Sequence, residues 1–154
     1  MGLREASGLL RPGDPAPFAA VRPNAASPWL LVCEHAGRAV PKVLGDLGVP
    51  RGEMDRHIAF DIGAEGLTRA LSERLDATAV LQPYSRLVID CNRPAHAPDL
   101  IPAVSDGTPI PANLDLGEAK RAARLAAIHG PFHAAVAAIS SNARSNTSGG
   151  WPPL

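Results

Sequence analysis

PWLLVCEHAGR, residues 28–38, decides how the rest of the chain is read. Trp29-Leu-Leu-Val-Cys33 is apolar without interruption, which predicts a strand covered on both faces, as in a parallel sheet. Glu34-His35-Ala36-Gly37-Arg38 follows at its carboxyl end. In open α/β sheets ligands sit just beyond that end, where the loops diverge and leave a crevice. Gly37 is expected to let the backbone turn sharply beside His35.

Working outward, Asp61 to Leu75 carries Leu67, Leu71 and Leu75 at spacings of four with Glu65, Arg69, Ser72 and Glu73 between them, the pattern of an amphipathic helix. Thr78 to Gln82 reads as a second strand and Arg86 to Cys91 as a third. Pro41 to Pro50 is a short helical or turn segment. Residues 94–114 hold five prolines and little periodicity, so they read as a long loop. Leu116 to Ile128 predicts a helix that Gly130-Pro131 breaks, and Phe132 to Ile139 starts another. Strand, helix, strand, strand with long apolar runs points to one α/β domain over 29–140, preceded by a Pro-rich irregular lead-in over 1–28 and followed by a linker-like tail over 141–154.

Composition narrows the function classes. The 154 residues suffice for one core, and 15 basic against 15 acidic residues leave no net charge to draw the chain to nucleic acid or an anionic membrane. No run has signal-peptide or transmembrane length, which leads to the expectation of a cytoplasmic protein. Cys33 and Cys91 both end apolar runs, where buried free thiols are expected.

Several side chains are candidates for chemistry. His35, directly after a buried strand, has the low mobility that suits a metal ligand, although a hydrogen-bonded structural histidine is the plainer reading. Glu34 is a ligand, a partner that orients the imidazole, or a surface carboxylate. His57 and Asp61 would share a face if their stretch were helical, while Asp61 could equally cap the helix that follows. Arg86, Asn92 and Arg93 flank the third expected strand, and a guanidinium fork matches a carboxylate with paired hydrogen bonds. Salt bridges to Asp90 are the alternative. His129 and His133 stand four apart, but Gly130-Pro131 between them argues against a helical metal pair.

VCEHAGRAVP (32–41), DRHIAFDIGAEGL (55–67), YSRLVIDCNRP (84–94) and GPFHAAV (130–136), in that order and spacing, resemble the N-formylglutamate amidohydrolase family. The resemblance spans most of residues 10–140. It implies a relative of the zinc carboxypeptidases: a three-layer α/β/α sandwich with a mostly parallel or mixed sheet, phosphorylase/hydrolase-like and zinc-exopeptidase-like. It also implies a divalent metal, usually zinc, and hydrolysis of N-formylglutamate or a similar N-acyl amino acid to formate, or another small acid, and an amino acid. On this likeness His35 is the first candidate ligand and Asp61 or Glu34 the next. Glu34 and His57 are the candidates for catalysis, and Arg86, Asn92 and Arg93 resemble the carboxylate clamp of such enzymes.

Three departures qualify the likeness. Relatives continue past residue 154 with further strands and a Ser-His motif, so the sheet is expected to be incomplete and the chain a truncated copy. EHAG stands where histidine-degrading members have a Pro-His-Ser-Gly-like run, and Arg38 stands where a His-x-x-Glu pair would place Glu. An inactive remnant that binds small carboxylates, or that has no function, is the competing expectation.

Overall fold

The structure, a computed structural model, describes residues 8–146, with side chains through Ser141. Its central sheet has the order β1-β3-β2, formed by β1 (Ala19–Val21), β2 (Leu30–Cys33) and β3 (Thr78–Leu81). β2 and β3 run parallel with Leu30 opposite Thr78 and Cys33 opposite Leu81. Between them lies α1 (Ala64–Leu75), the crossover that a parallel pair requires. β1 comes from the Pro-rich lead-in and pairs antiparallel with β3, Ala20 opposite Val80.

Period-two alternation divides the sheet's side chains between two clusters. Val80 belongs to the main core with Leu87, Ile89, Leu100, Ile128 and Phe132, and Leu30 and Val32 pack against it. Cys33, Ala79 and Leu81 form a smaller cluster that takes in Leu31 and Ala64 of α1. Both cysteines are free and buried, as expected.

α1 is the expected amphipathic helix, turned so that its polar side meets the sheet. Its leucine stripe does not face the sheet: Leu67 is 63% and Leu75 47% exposed, while Ser72 is buried and donates to Ala77 O at 2.6 Å. The helix lies against the sheet through small side chains such as Ala64, opposite Ala79. Leu67, Leu71 and Leu75 form an apolar stripe on the other side.

The expected third strand is a correction. Residues 86–91 are turn and irregular backbone, buried nearly throughout. Their polar groups find partners other than a neighbouring strand. Val88 N–H donates to Ser85 O at 2.9 Å and Asp90 N–H to Leu100 O at 2.8 Å. Asn113 Nδ2 donates to Leu87 O at 2.8 Å, and Arg124 donates to Val88 O at 2.8 Å and to Asn113 Oδ1 at 2.7 Å. Burial of this backbone is possible because side chains replace the missing ladder. Burial pulls the Arg124 guanidinium down to about 10, still charged at neutral pH.

The expected loop over 94–114 contains a hairpin, β4 (Val104–Ser105) with β5 (Thr108–Pro109). Asp106 and Gly107 turn it with φ of 45° and 77°, the left-handed pair that a tight hairpin needs.

Gly130-Pro131 does not break the helix. α2 (Glu118–Arg124) passes through a wide turn over Leu125–His129 into α3 (Gly130–Asn146). Pro131 has no N–H and its ring would crowd the carbonyl four residues back. The wide turn absorbs that misfit: Gly130 N–H bonds Leu125 O, five residues back. α3 thus takes in the first residues of the expected tail, and residues 147–154 of that tail lie outside the described residues. No helix among the described residues is long and apolar enough to cross a membrane.

Candidate functional site

His35 leaves β2 and sits inside a cluster of charges. Its Nε2 lies 2.6 Å from Asp90 Oδ1 and its Nδ1 3.1 Å from Asp61 Oδ2. Carboxylates only accept, so both ring nitrogens carry hydrogen and the imidazole is a cation. Burial pushes the His35 pKa down, but the hydrogen bond and charge of Asp90 outweigh it and hold the group above its usual value. Arg86 closes the cluster, 3.0 Å from Asp61 Oδ1 and 3.4 Å from Asp90 Oδ2. Two carboxylates, one imidazolium and one guanidinium balance in charge.

Local structure explains the placement. Asp61 N–H donates to His35 O at 3.0 Å, which ties the 61 segment to the end of β2. Asp61 does not cap α1: the cap is Gly63 at φ 85°, and no side chain bonds there. The Asp61 carboxylate is spent on His35 and Arg86 instead. Gly37 corrects another expectation. Its role is close approach, because a Cβ there would lie 2.1 Å from Pro83 O, and its N–H donates to Gln82 O at 3.0 Å. That contact draws the loop after β2 against the chain leaving β3.

Asp90 is the hub. Burial alone would raise its pKa, but hydrogen bonds from His35 and from Asn92 N–H, the latter at 2.9 Å, hold the carboxyl below its ordinary range. His35 and Asn92 are thereby joined through one carboxylate. Sequence alone offers Asp90 as a salt-bridge partner, and no spacing reveals its burial.

Two cavities flank this hub. One of 310 Å³ is lined by His57, Arg86, Asp90, Arg93 and Asp99, with Val104 to Asp106 of the hairpin as a wall. The other, of 370 Å³, is lined by Glu34, Cys91, Asn92, Arg93, His129 and His133. Arg93 borders both. Its Nε donates to Asp99 Oδ2 at 2.7 Å.

The sequence candidates therefore separate. His35, Asp61 and Arg86 meet in one cluster. Arg86 and Arg93 share the first cavity, and Glu34, Asn92 and Arg93 the second. His57 is exposed on the first cavity's rim, 3.7 Å from Asp106, away from Glu34's cavity. Residues 56–61 are bend, turn and irregular backbone, so His57 forms no helical pair with Asp61.

As a metal centre the cluster is incomplete. Imidazole and carboxylate are the donors that zinc takes. Both nitrogens of His35 are nevertheless engaged by carboxylates, and among the described residues no three His, Cys, Asp or Glu side chains are arranged to hold an ion.

Comparison with known proteins supplies the family. The family model for N-formylglutamate amidohydrolase matches residues 27–150. A gene product of Agrobacterium tumefaciens, solved by crystallography, superposes with a TM-score of 0.87 at 38% identity. The match covers 90% of this chain and 55% of that one, so this chain spans little more than half the length of its structural relative. No curated protein matches. With the His35, Asp61 and Asn92-Arg93 motifs inside the matched span, the chain belongs to the N-formylglutamate amidohydrolase family.

Proposed function

We propose that this chain carries the carboxylate-binding part of a hydrolase acting on N-formylglutamate or a similar N-acyl amino acid, with formate or another small acid and an amino acid as products. The observation that supports it is the pair Arg86 and Arg93 on one 310 Å³ cavity, large enough for a small diacid. The two guanidiniums bind the carboxylate end of the substrate, Arg93 exchanging or sharing its bond to Asp99. Asp90 and Asp61 hold Arg86 in place, and the Asp90 bond to Asn92 N–H fixes the adjoining loop. Glu34, in the neighbouring cavity with Asn92, is proposed as the proton acceptor for the hydrolytic water, and His57 as a rim group that meets the substrate on entry.

The family likeness adds a divalent ion, zinc, with His35 and Asp61 as proposed donors. Each would have to give up a present hydrogen bond to do so. The likeness also supports reading the sheet, with α1 on one cluster and α3 on the other, as part of a three-layer α/β/α sandwich of the exopeptidase kind.

The test is formate release from N-formyl-L-glutamate by the purified chain, with and without added zinc. Turnover that Glu34→Gln removes supports the full proposal. A second reading, a carboxylate binder without turnover, rests on the same two arginines on one cavity. Binding of glutamate with no formate released supports that reading, and neither binding nor turnover contradicts both.

A further inference from the structure

Asn92 sits between two carbonyls that are gripped from the same helix. His129 Nε2 lies 2.9 Å from Arg93 O, and His133 Nε2 lies 3.0 Å from Cys91 O. A carbonyl only accepts, so the hydrogen is on Nε2 in both rings. The two rings stand 4.3 Å apart and tilted by 46°, side by side over the loop. His129 is buried and closes the wide turn that Pro131 imposes, and His133 follows four residues later on α3. The irregularity in the helix and the two-point grip are thus one feature.

The grip has something to hold. Residues 91–93 are turn and bend backbone with no strand partner. Asp90 fixes this loop from one side, through its Oδ1 bond to Asn92 N–H, and the two imidazoles fix it from the other. Burial, with His129 adding to it, pushes the His133 pKa down, so that ring is neutral at ordinary pH.

We infer that His129 and His133 are a positioning pair that registers the Asn92-Arg93 couple, holding the loop backbone on both sides of Asn92 so that amide and guanidinium face their cavities. The assignment deepens the proposed function, since it rests on that couple binding a carboxylate. It ascribes no contact with substrate to either histidine.

The test uses the full chain with single variants His129→Ala, His133→Ala, His129→Gln and His133→Gln, because a glutamine amide can replace the Nε2–H donor. Hydrogen exchange at the Asn92 and Arg93 amides is expected to speed about tenfold in each alanine variant, the cost of one hydrogen bond, and to return near the native rate with glutamine. The Val80 amide in β3 serves as the internal reference and is expected to hold its rate. Glutarate affinity, read by calorimetry, is expected to weaken about tenfold in the alanine variants and recover in the glutamine ones. Unchanged exchange at Asn92 and Arg93 overturns the inference, as does equal loss in alanine and glutamine variants or a slowdown shared with Val80. If the native chain binds no glutarate, the proposed function fails while exchange alone judges the positioning pair. Should the alanine variants not fold, nitrogen NMR of the native chain decides: hydrogen on Nδ1 in either ring overturns the grip.

Discussion

Leu30–Cys33 and Leu87–Cys91 are alike in character, each three apolar residues that lead to a cysteine, directly in the first and through Asp90 in the second, yet they fold by different means. The first lies in a sheet, and its backbone pairs with β3 in parallel register. The second is set deeper, with Leu87, Val88 and Ile89 at or below 1% exposure where Leu30, Leu31 and Val32 are half-buried, and among the described residues no strand pairs with its backbone. Asn113, Arg124, Ser85 and His133 supply its hydrogen bonds one at a time. A ladder needs only backbone and tolerates side-chain change, whereas a buried loop held by side chains depends on each of them. The loop is also where Arg86, Asp90, Asn92 and Arg93 stand, so the site rides on the more fragile of the two.

The sharpest way to break the contrast is Arg124→Ala. It removes the donor to Val88 O and to Asn113 Oδ1 in a fully buried place, and the stability loss is expected to be about 3 kcal/mol or more. Urea unfolding followed by circular dichroism measures it. A loss under about 1 kcal/mol would mean that the loop has other support.

Asp90→Asn comes next, at about 2–3 kcal/mol, because it takes the charge from a buried partner of His35 and Arg86. The same pair predicts a pH dependence. The His35 pKa is raised, so its contribution is whole below its unfolded value of about 6.5 and is lost as pH rises through the folded value. The Asp90 pKa is lowered, so its contribution is whole above its unfolded value of about 3.9 and is lost as pH falls through the folded one. The native chain should therefore resist urea better at about pH 5.5 than at about pH 8.5, and Asp90→Asn should flatten that difference. An equal difference in both proteins would show that the cluster is not its source.

Paired truncations sharpen the contrast further. Val88→Ala in the loop is expected to cost about 2 kcal/mol and Val32→Ala in β2 about 1 kcal/mol, in line with the deeper burial of Val88. Equal costs would argue that the loop is no more tightly packed than the strand. The smallest effect is expected at the outer stripe of α1, where Leu67→Gln should change stability by less than about 0.5 kcal/mol.

The contrast also explains which parts of the fold could be read from residues. β2 and β3 announce themselves as short apolar runs and the helix between them by leucines at spacings of four, although that stripe turns away from the sheet. Leu87-Val88-Ile89 carries the same apolar signal, and nothing local tells that Asn113 and Arg124 reach back to replace a ladder partner. The β4–β5 hairpin had a signal in Asp106-Gly107, submerged among prolines. Gly130-Pro131 promised a break, whereas a five-residue hydrogen bond keeps the helix running. At the site, the spacing of His35, Asp61 and Arg86 carried no sign that they meet, and the family likeness set Arg86 apart from the other two, in a substrate clamp. The parts contributed by Asp90, His129 and His133 lie in burial and in backbone contacts, which emerge only from the folded chain.

The most direct measurement is a calorimetric titration of N-formyl-L-glutamate into the native chain, Arg86→Met and Arg93→Met. Saturable one-to-one binding is expected in the native chain, weakened roughly 10–100-fold by either substitution through loss of a charge-assisted contact. Binding that both variants retain at native strength, or no binding in the native chain, would contradict a carboxylate held between these two arginines.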